Sequence, residues 1–445
     1  MFASMKTVAV YFLLSASVLL AQQMPPAPKA RLTDINPKPG FFNEPSIAVN
    51  PKDPQQLVVA WQVNASVAYT TDGGQNWTLA EGTAPKNFRV SGDVSVTYDS
   101  AGNALLCYIA FDKLGSSQYW ARGATRNGIF VRRSADGGKT WEAEASSVIA
   151  HDSTPGIPFE DKPYIFADTV SSHPGNLYIG WTQFTLSTSE LLFSRSTDHG
   201  ESWSQPIRLN SASGLPRDDN GALEGFDGVV APDGTLYTIW DDRDGIMMAI
   251  SHDGGKSFSH DRRIIPAGPG YFGITGVSRS NGFPQIGIDP RGDKKGGNLY
   301  VAWSDYTNGD VDVFVASSSD HGHSWNAVRV NSDPIHNGND QFFQWMAVDP
   351  KSGAVNVIFY DRRSNNDATT VTLARSIDGG KTFTNYQWDG DAFSADGDFL
   401  GDYIGVTAFG NKVYGAWAHQ TSEPAKEERG RRTRTVLRVG SADFN

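Results

Sequence analysis

Ser134-Ala135-Asp136-Gly137-Gly138-Lys139-Thr140-Trp141 is one of six related octapeptides in the chain, and their recurrence decides the fold. Each copy starts with Ser or Thr, has Asp at its third and Gly at its fifth position, and ends in Trp or Phe. Self-similarity at a regular spacing indicates a repeat architecture. The six copies begin at Thr70, Ser134, Ser196, Ser251, Ser318 and Ser376, at intervals of 55 to 67 residues.

The octapeptide has the chemistry of a tight turn. Its Asp side chain accepts hydrogen bonds from nearby backbone N–H groups, and its Gly residues tolerate left-handed backbone angles. The hydroxyl side chain ties the turn together, and the terminal aromatic ring is expected to return to the core. The repeated unit is therefore predicted to contain a turn that joins two β-strands.

Apolar stretches with the alternation typical of β-strands separate the octapeptides. In each unit a first strand ends in a polar turn, as in Gln285–Asp289, and a second ends in Trp or Tyr, as in Leu177–Trp181. Seven such strand pairs accompany six complete octapeptides, and a partial seventh copy starts at Ser441. We expect the segment Ala30–Ile35 to supply the missing strand of the last sheet and so to close a ring.

The N-terminal residues have the features of a secretory signal peptide. Lys6 precedes an apolar run from Val8 to Leu20, and the small residue Ala21 follows it. We expect residues 1–21 to be a signal peptide and residues 22–30 to be a Pro- and Ala-rich linker. No cysteine follows the apolar run, so a lipid anchor is not expected. The mature protein is predicted to be secreted or periplasmic.

Composition excludes several classes of partner. The formal net charge of −11 disfavours nucleic acid and anionic membranes as partners, although local arginines can still bind an acidic sugar. Cys107 is the single cysteine, so no intrachain disulfide can form. We therefore expect neither a nucleic acid nor a membrane partner, and we expect a monomer.

The octapeptides resemble the Asp boxes, or BNR repeats, of sialidase-like β-propellers, and the resemblance extends from about residue 41 to the end of the chain. It implies an all-β fold, with a single propeller over residues 31–445. Seven strand pairs favour seven four-stranded blades, and the alternative is six, as in a sialidase catalytic domain. In that family the Asp boxes are structural and lie on the face opposite the active site.

Loops on the open face of such a propeller carry many charged residues, and clustered carboxylates with arginines suit a pocket for a polar ligand. The alternative is that these loops are polar only because they are exposed. The starts of the first strands carry Glu44, Asp93, Glu160, Asp161, Glu224, Asp227, Asp340 and Asp402. The ends of the second strands carry Asp112, Asp241, Asp242, Arg243, Asp305, Asp361, Arg362, Arg363 and His419.

The resemblance also implies roles for some of these residues. Sialidases hold the substrate carboxylate with three arginines, and they use a Tyr nucleophile activated by a Glu, with an Asp as general acid/base. Glu224 and Arg243 match the segment that carries the family's Glu and its second Arg. Arg362 or Arg363 is placed like the third Arg. Tyr403 is placed like the nucleophile.

The first arginine of the family motif is replaced here. Phe42-Asn43-Glu44-Pro45 stands where the motif has Phe-Arg-Ile-Pro. Arg89 lies in a looser match at the start of the second blade, and Asp112 then takes the place of the acid/base. In that register Glu224 and Arg243 come one blade early, so neither register recovers the whole set. Asp112 and Asp161 are the two candidate proton donors, and Asp402 is a further candidate for substrate binding.

We predict from this resemblance an exported glycoside hydrolase that acts on an anionic or polyhydroxylated glycan. The alternatives are a propeller that binds a glycan or a protein without catalysis, and a polysaccharide lyase on the same scaffold. No cofactor is expected, and the histidines form no cluster with the spacing of a zinc site. A structural Ca²⁺ site at Asp396, Asp398 and Asp402 stays open as an alternative.

Overall fold

The computed structural model describes residues 24–36, 38–113, 126–152, 158–217, 221–266, 270–291, 297–365, 367–395, 399–422, 426–428 and 431–445. Regular structure in these residues is entirely β. None of them forms a helix with the length and apolarity that crossing a bilayer requires. The predicted signal peptide, residues 1–21, lies outside the described residues and stays a prediction.

Seven antiparallel four-stranded sheets form the blades of a propeller. Blade 1 consists of β2 (Ser46–Val49), β3 (Leu57–Trp61), β4 (Ser66–Thr70) and β5 (Thr78–Leu79). Blade 2 consists of β6 (Val90–Tyr98), β7 (Ala104–Phe111), β8 (Arg126–Ser134) and β9 (Ser146–Asp152). Blade 3 consists of β10 (Phe159–Ala167), β11 (Leu177–Phe184), β12 (Ser189–Ser196) and β13 (Ile207–Arg208).

The remaining blades repeat this order of strands. Blade 4 consists of β14 (Glu224–Val230), β15 (Leu236–Asp242), β16 (Gly245–Ser251) and β17 (Arg262–Ile265). Blade 5 consists of β20 (Gln285–Asp289), β21 (Asn298–Asp305), β22 (Asp312–Ser318) and β23 (Asn326–Arg329). Blade 6 consists of β24 (Gln341–Val348), β25 (Val355–Asp361), β26 (Thr369–Ser376) and β27 (Thr384–Phe393).

Blade 7 joins the two ends of the chain. It consists of β28 (Gly405–Phe409), β29 (Lys412–Gln420), β32 (Thr435–Asp443) and, as its outer strand, β1 (Arg31–Asp34). Two short ribbons lie outside the blades, β18 (Tyr271–Phe272) with β19 (Ser280–Asn281), and β30 (Lys426–Glu428) with β31 (Arg431–Thr433).

The first strands of the blades surround a common axis. Going around the ring, β2, β6, β10, β14, β20, β24 and β28 each contact the next, and β28 contacts β2 again. This cycle confirms the seven-bladed propeller predicted from the sequence. It also brings together seven strand starts that are far apart in the chain.

The N-terminal strand closes the ring as the sequence predicts. Strand β1 pairs with β32, so that Arg31 lies opposite Ser441 and Asp34 lies opposite Arg438. The partial seventh octapeptide at Ser441 continues as strand instead of turning. The described part of the predicted linker packs on blade 6, where the N–H of Ala27 donates to the carbonyl of Gln387 at 2.9 Å.

Large side chains pack between neighbouring blades. The aromatic residues predicted for the second strands are fully buried, among them Trp181, Trp240 and Trp417. Phe166 of blade 3 packs against Phe226 of blade 4, with ring centroids 6.3 Å apart. Rings bury much apolar surface with few rotatable bonds, so these contacts hold adjacent sheets in a defined orientation.

The octapeptides form the turns that their composition predicts. In blade 2, Ser134 Oγ donates to Asp136 Oδ1 at 2.8 Å and accepts from the N–H of Gly138 at 2.8 Å. Asp136 also accepts from the N–H and the hydroxyl of Thr140, at 2.9 and 2.7 Å. These bonds to the ionised carboxylate outweigh its desolvation and lower the pKa of Asp136.

Candidate functional site

The first strands of four blades change pairing register close to where they start. Such a bulge bends the strand and redirects a side chain. The residues with positive φ at these places are Asp93 (45°), Lys162 (50°), Gly225 (66°) and Phe343 (51°). Positive φ is uncommon for residues other than Gly, and it tends to occur where function constrains the backbone. The repeated bulge therefore marks the open end of the axis as the candidate site.

Lys162 of blade 3 lies across the propeller axis. Its Nζ is 3.2 Å from the centroid of the Tyr403 ring, which precedes blade 7. The same atom is 5.3 Å from the Phe283 ring, before blade 5, and 5.6 Å from the Trp345 ring of blade 6. An ammonium group over aromatic faces is held by cation–π attraction. A side chain from blade 3 thus meets residues of the opposite half of the ring.

Four carboxylates surround this ammonium group. The strongest of the charges that act on Lys162 are those of Asp93 in blade 2, Asp402 before blade 7, Glu44 before blade 1 and Glu224 in blade 4. Burial lowers the pKa of Lys162, and the carboxylates partly oppose that effect. We name Glu44, Asp93, Lys162, Glu224, Arg279, Asp402 and Tyr403 the axial cluster.

Glu44 has the most unusual environment in the axial cluster. Its side chain is 1% exposed, and its backbone has a φ of 51°. Burial raises its pKa well above the ordinary value, and the nearby charges of Asp93 and Asp402 raise it further. Its Oε2 atom is buried, and no donor among the described residues reaches it. A buried carboxyl oxygen without a partner is costly unless it is protonated or meets a ligand.

Arg279 pairs with Asp402 at the edge of the axial cluster. Its Nε donates to Asp402 Oδ1 at 2.8 Å, and its Nη2 donates to Asp402 Oδ2. Burial raises the pKa of Asp402, against the lowering effect of Arg279. The sequence reasoning missed Arg279, because it lies in the segment between blades 4 and 5 and not at a predicted strand end.

Comparison with protein families agrees with the repeat. The profile of the BNR/Asp-box repeat matches residues 68–79, which include the whole of the first octapeptide. The chain thus contains a BNR/Asp-box repeat within a β-propeller fold. This match agrees with the repeat predicted from the sequence. No curated protein matches the sequence significantly.

Several solved structures are similar to this Asp-box propeller. A protein of unknown function from Dyadobacter fermentans is 12% identical, with 93% of this chain and 99% of that chain covered and a TM-score of 0.49. An α-L-arabinofuranosidase from Fusarium graminearum is 14% identical, with 80% and 97% covered and a TM-score of 0.48. A sialidase from Trypanosoma rangeli is 13% identical, with 95% and 60% covered and a TM-score of 0.46. These identities are too low to indicate an activity.

Four of the sequence-predicted site residues of the Asp-box propeller lie at the axis. Tyr403 is buried, and its hydroxyl donates to the carbonyl of Val94 at 3.3 Å. Glu224 accepts a hydrogen bond from the hydroxyl of Tyr271 at 3.0 Å. Asp161 accepts from the N–H of Lys162 at 3.0 Å, and its charge acts on Tyr403. Asp402 is the fourth, through its pair with Arg279.

The predicted arginines are held at separate places. Arg89 and Arg243 are exposed, Arg243 in the turn between β15 and β16. Arg362 is buried, and it donates to the carbonyl of Thr275 at 2.7 Å and to the hydroxyl of Thr369 at 3.0 Å. Its guanidinium also lies over the Phe342 ring, at 5.3 Å.

Two further predicted site residues are held by hydrogen bonds to other residues of their own blades. Arg363 donates to Asp361 at 2.6 Å and to Asn385 at 2.9 Å, so it braces the strands of blade 6. Asp112 follows the second strand of blade 2, and its N–H donates to the carbonyl of Arg126 at 3.1 Å. None of the predicted arginines is among the four groups whose charges act most strongly on Lys162.

The proposed Ca²⁺ site falls partly outside the described residues, because Asp396 and Asp398 are not among them. The third residue of that site, Asp402, has both carboxylate oxygens engaged by Arg279. Within the described ranges, no group of three acidic, His or Cys side chains is arranged to hold a metal ion.

Proposed function

We propose that this propeller is an exported glycoside hydrolase that acts on a neutral, polyhydroxylated glycan at the axial cluster. The observation that carries the proposal is the buried Glu44 carboxyl, which has a raised pKa and a free oxygen beside a second set of carboxylates. Glycoside hydrolysis needs one carboxyl group that stays protonated near neutral pH and a second that is ionised.

The roles follow from the environments of the carboxyl groups. Glu44 keeps its proton because burial and two neighbouring carboxylates disfavour its charged form. It donates that proton to the leaving glycosidic oxygen as the bond to the anomeric carbon breaks. Asp93 is half-buried at the surface of the cluster and interacts with the positive charge of Lys162. Asp93 accepts a proton from the water that attacks the anomeric carbon.

The net negative charge of the axial cluster favours a neutral sugar over an anionic one. The positive charges of Lys162 and Arg279 act on Glu44 and Asp402, and Arg279 is already paired with Asp402. The arginines that would clamp a substrate carboxylate are held elsewhere, Arg362 by the carbonyl of Thr275 and the hydroxyl of Thr369. A carboxylated sugar would therefore meet net negative charge, whereas sugar hydroxyls can donate to the carboxylates.

The test is hydrolysis of fluorogenic aryl glycosides by the mature chain. The panel holds neutral hexosides and pentosides beside a sialoside and a glucuronide. We expect turnover of a neutral glycoside, reduced by about 100-fold or more in Glu44→Gln, as is typical for loss of a general acid. Glu81→Gln is the control, because Glu81 is exposed in a loop.

Two outcomes would contradict the proposal. Turnover of the sialoside alone, abolished by Arg89→Ala, would show that arginines do form a clamp and that the substrate is anionic. A folded protein that hydrolyses nothing on the panel but binds glycans would indicate a binding propeller instead.

A further inference from the structure

A second cleft opens between blades 6 and 7, away from the axis. It has a volume of about 360 Å³, and it lies where β27 ends, β29 ends and β32 begins. Its walls include Asp391 and Phe393 from blade 6, and His419, Thr421, Ser422 and Arg438 from blade 7. Pockets for small ligands begin at about 300 Å³, so this cleft is large enough for one sugar ring.

An aromatic pair forms the apolar part of the cleft. The rings of Phe393 and His419 are in edge-to-face contact, with centroids 5.0 Å apart. Both residues are buried, and Phe393 also packs edge-on against Tyr360, at 5.8 Å. These contacts fix the two rings, so the surface that they offer is formed in advance.

His419 also brings an unsatisfied polar atom to the cleft. Its side chain is 4% exposed, and its Nε2 lies 3.2 Å from Asp391 Oδ2. Its buried Nδ1 lies 3.5 Å from Asp389 Oδ2 and makes no hydrogen bond with the described residues. Burial lowers its pKa, and the charge of Arg438 lowers it further. A neutral imidazole has one donor and one acceptor, which is the pattern that a hydroxyl group matches.

The charged side chains of the cleft are engaged within the protein. Arg438 donates to both oxygens of Asp34, at 2.7 and 3.1 Å, and to Asp389 and Asp391, at 3.0 and 3.1 Å. Each nitrogen of its guanidinium group therefore donates to a carboxylate. Arg434 also lines the cleft and has interactions of its own. Asp391 is the most accessible of these acids, with 66% of its side chain exposed.

We infer that this cleft is an accessory binding site for a neutral sugar unit. The hydroxyl groups of the sugar would donate to the Asp391 carboxylate and pair with the hydroxyls of Thr421 and Ser422. Its C–H groups would contact the small part of the Phe393 and His419 rings that borders the cleft. The inference does not depend on hydrolysis at the axis, because the cleft and the axial cluster share no residue.

The experiment measures sugar binding to the full mature chain by saturation-transfer NMR. The probes are methyl glycosides of glucose, galactose, arabinose and N-acetylglucosamine. Ala392 lines the cleft and is exposed, so Ala392→Trp fills the cleft, and Ala392→Ser is the matched control that leaves it open. We expect at least one probe to bind about tenfold more weakly, or not at all, to Ala392→Trp and normally to the control.

A variant at the axis separates the two sites. Lys162→Met disturbs the axial cluster, and binding in the cleft should survive it. Loss of binding in Lys162→Met with full binding in Ala392→Trp would place the sugar at the axis and overturn the inference. No binding of any probe by the folded chain would also overturn it, as would displacement of a bound probe by inorganic phosphate.

Discussion

Lys162 shows how a buried charge is stabilised at the axis. A buried ammonium group is costly unless nearby groups replace its hydration. Here three rings and four carboxylates from other blades do so, with the Tyr403 ring only 3.2 Å from Nζ. The same charge lowers the pKa of Glu44, against burial. Lys162 is therefore one of the groups that tune the pKa of the proposed proton donor.

Replacing Lys162 by Met tests that role. Without the positive charge, the pKa of Glu44 rises further, so Glu44 stays protonated to higher pH. We expect the alkaline limb of the pH–activity profile to move upwards in Lys162→Met, together with a lower maximal rate. Lys86→Met is the control, because Lys86 pairs only with the exposed Glu144. An alkaline limb that stays in place or moves downwards would contradict the assignment.

Asp227 gives a pH dependence of stability. Its oxygens accept from the N–H groups of Gly228 and Ile286, at 2.7 and 2.8 Å, yet burial raises its pKa to about 7. A carboxyl group whose pKa is raised on folding stabilises the native state at low pH. That contribution is lost as the pH rises from about 4 through about 7.

The variant Asp227→Asn should remove this dependence. We expect the urea midpoint of the wild type to fall, relative to that of the variant, between about pH 5 and about pH 8. Asp443→Asn, at a surface position whose pKa is lowered, is the comparison that should not show this fall. A constant difference between wild type and Asp227→Asn across this range would contradict the raised pKa.

At the scale of elements, each Asp box is both a turn and a contact with the neighbouring blade. Gly138 in the box of blade 2 has a φ of +94°, and a Cβ atom there would lie 2.4 Å from Cγ1 of Val58 in blade 1. Gly254 in the box of blade 4 has a φ of +71°, and a Cβ atom there would meet nothing within 4 Å. Comparing the two glycines therefore separates the cost of backbone strain from the cost of overpacking.

Alanine at these two positions should have unequal effects. Gly254→Ala carries only the strain of a left-handed residue, about 1–2 kcal/mol. Gly138→Ala adds overpacking against blade 1, and it should lower the free energy of unfolding by about 2–5 kcal/mol in all. Urea denaturation of both variants measures the difference. Equal losses would mean that the box does not pack tightly on the preceding blade.

At the scale of the whole molecule, the ring is closed by its first strand. Strand β1 covers the edge of β32, and Arg438 ties Asp34 of β1 to Asp389 and Asp391 of blade 6. An uncovered strand edge invites pairing with another chain. Ring closure by β1 is therefore expected to favour both the stability of the fold and the monomeric state predicted from the sequence.

A chain that starts at Asn36 should reveal what closure contributes. It lacks β1, so it leaves Arg438 without one of its carboxylates and uncovers the edge of β32. We expect a lower Tm and self-association in light scattering. A chain that starts at Met24 keeps β1 and is the control. Equal Tm values for the two chains would show that β1 does not close the ring in solution.

The seven blades, the Asp-box turns and the closing strand were predictable from the amino-acid sequence, since each depends on residues close together in the chain. Ser134, Asp136 and Gly138 form one turn by bonding to each other, and strand alternation needs only neighbouring residues. The closing segment Ala30–Ile35 was predicted because the last sheet lacked one strand. The structure also brings four candidate site residues, Glu224, Tyr403, Asp161 and Asp402, to the axis, and their roles stay predictions.

The composition of the axial cluster was decided only by the tertiary structure. Lys162 meets Phe283, Trp345 and Tyr403 because seven blades close around one axis, and no local pattern encodes which side chain crosses it. Arg279 reaches Asp402 from a segment without a repeat signal. Burial, which raises the pKa of Glu44, is likewise a property of the closed ring. Local sequence thus determined the turns and strands, and ring closure determined which distant charges share a site.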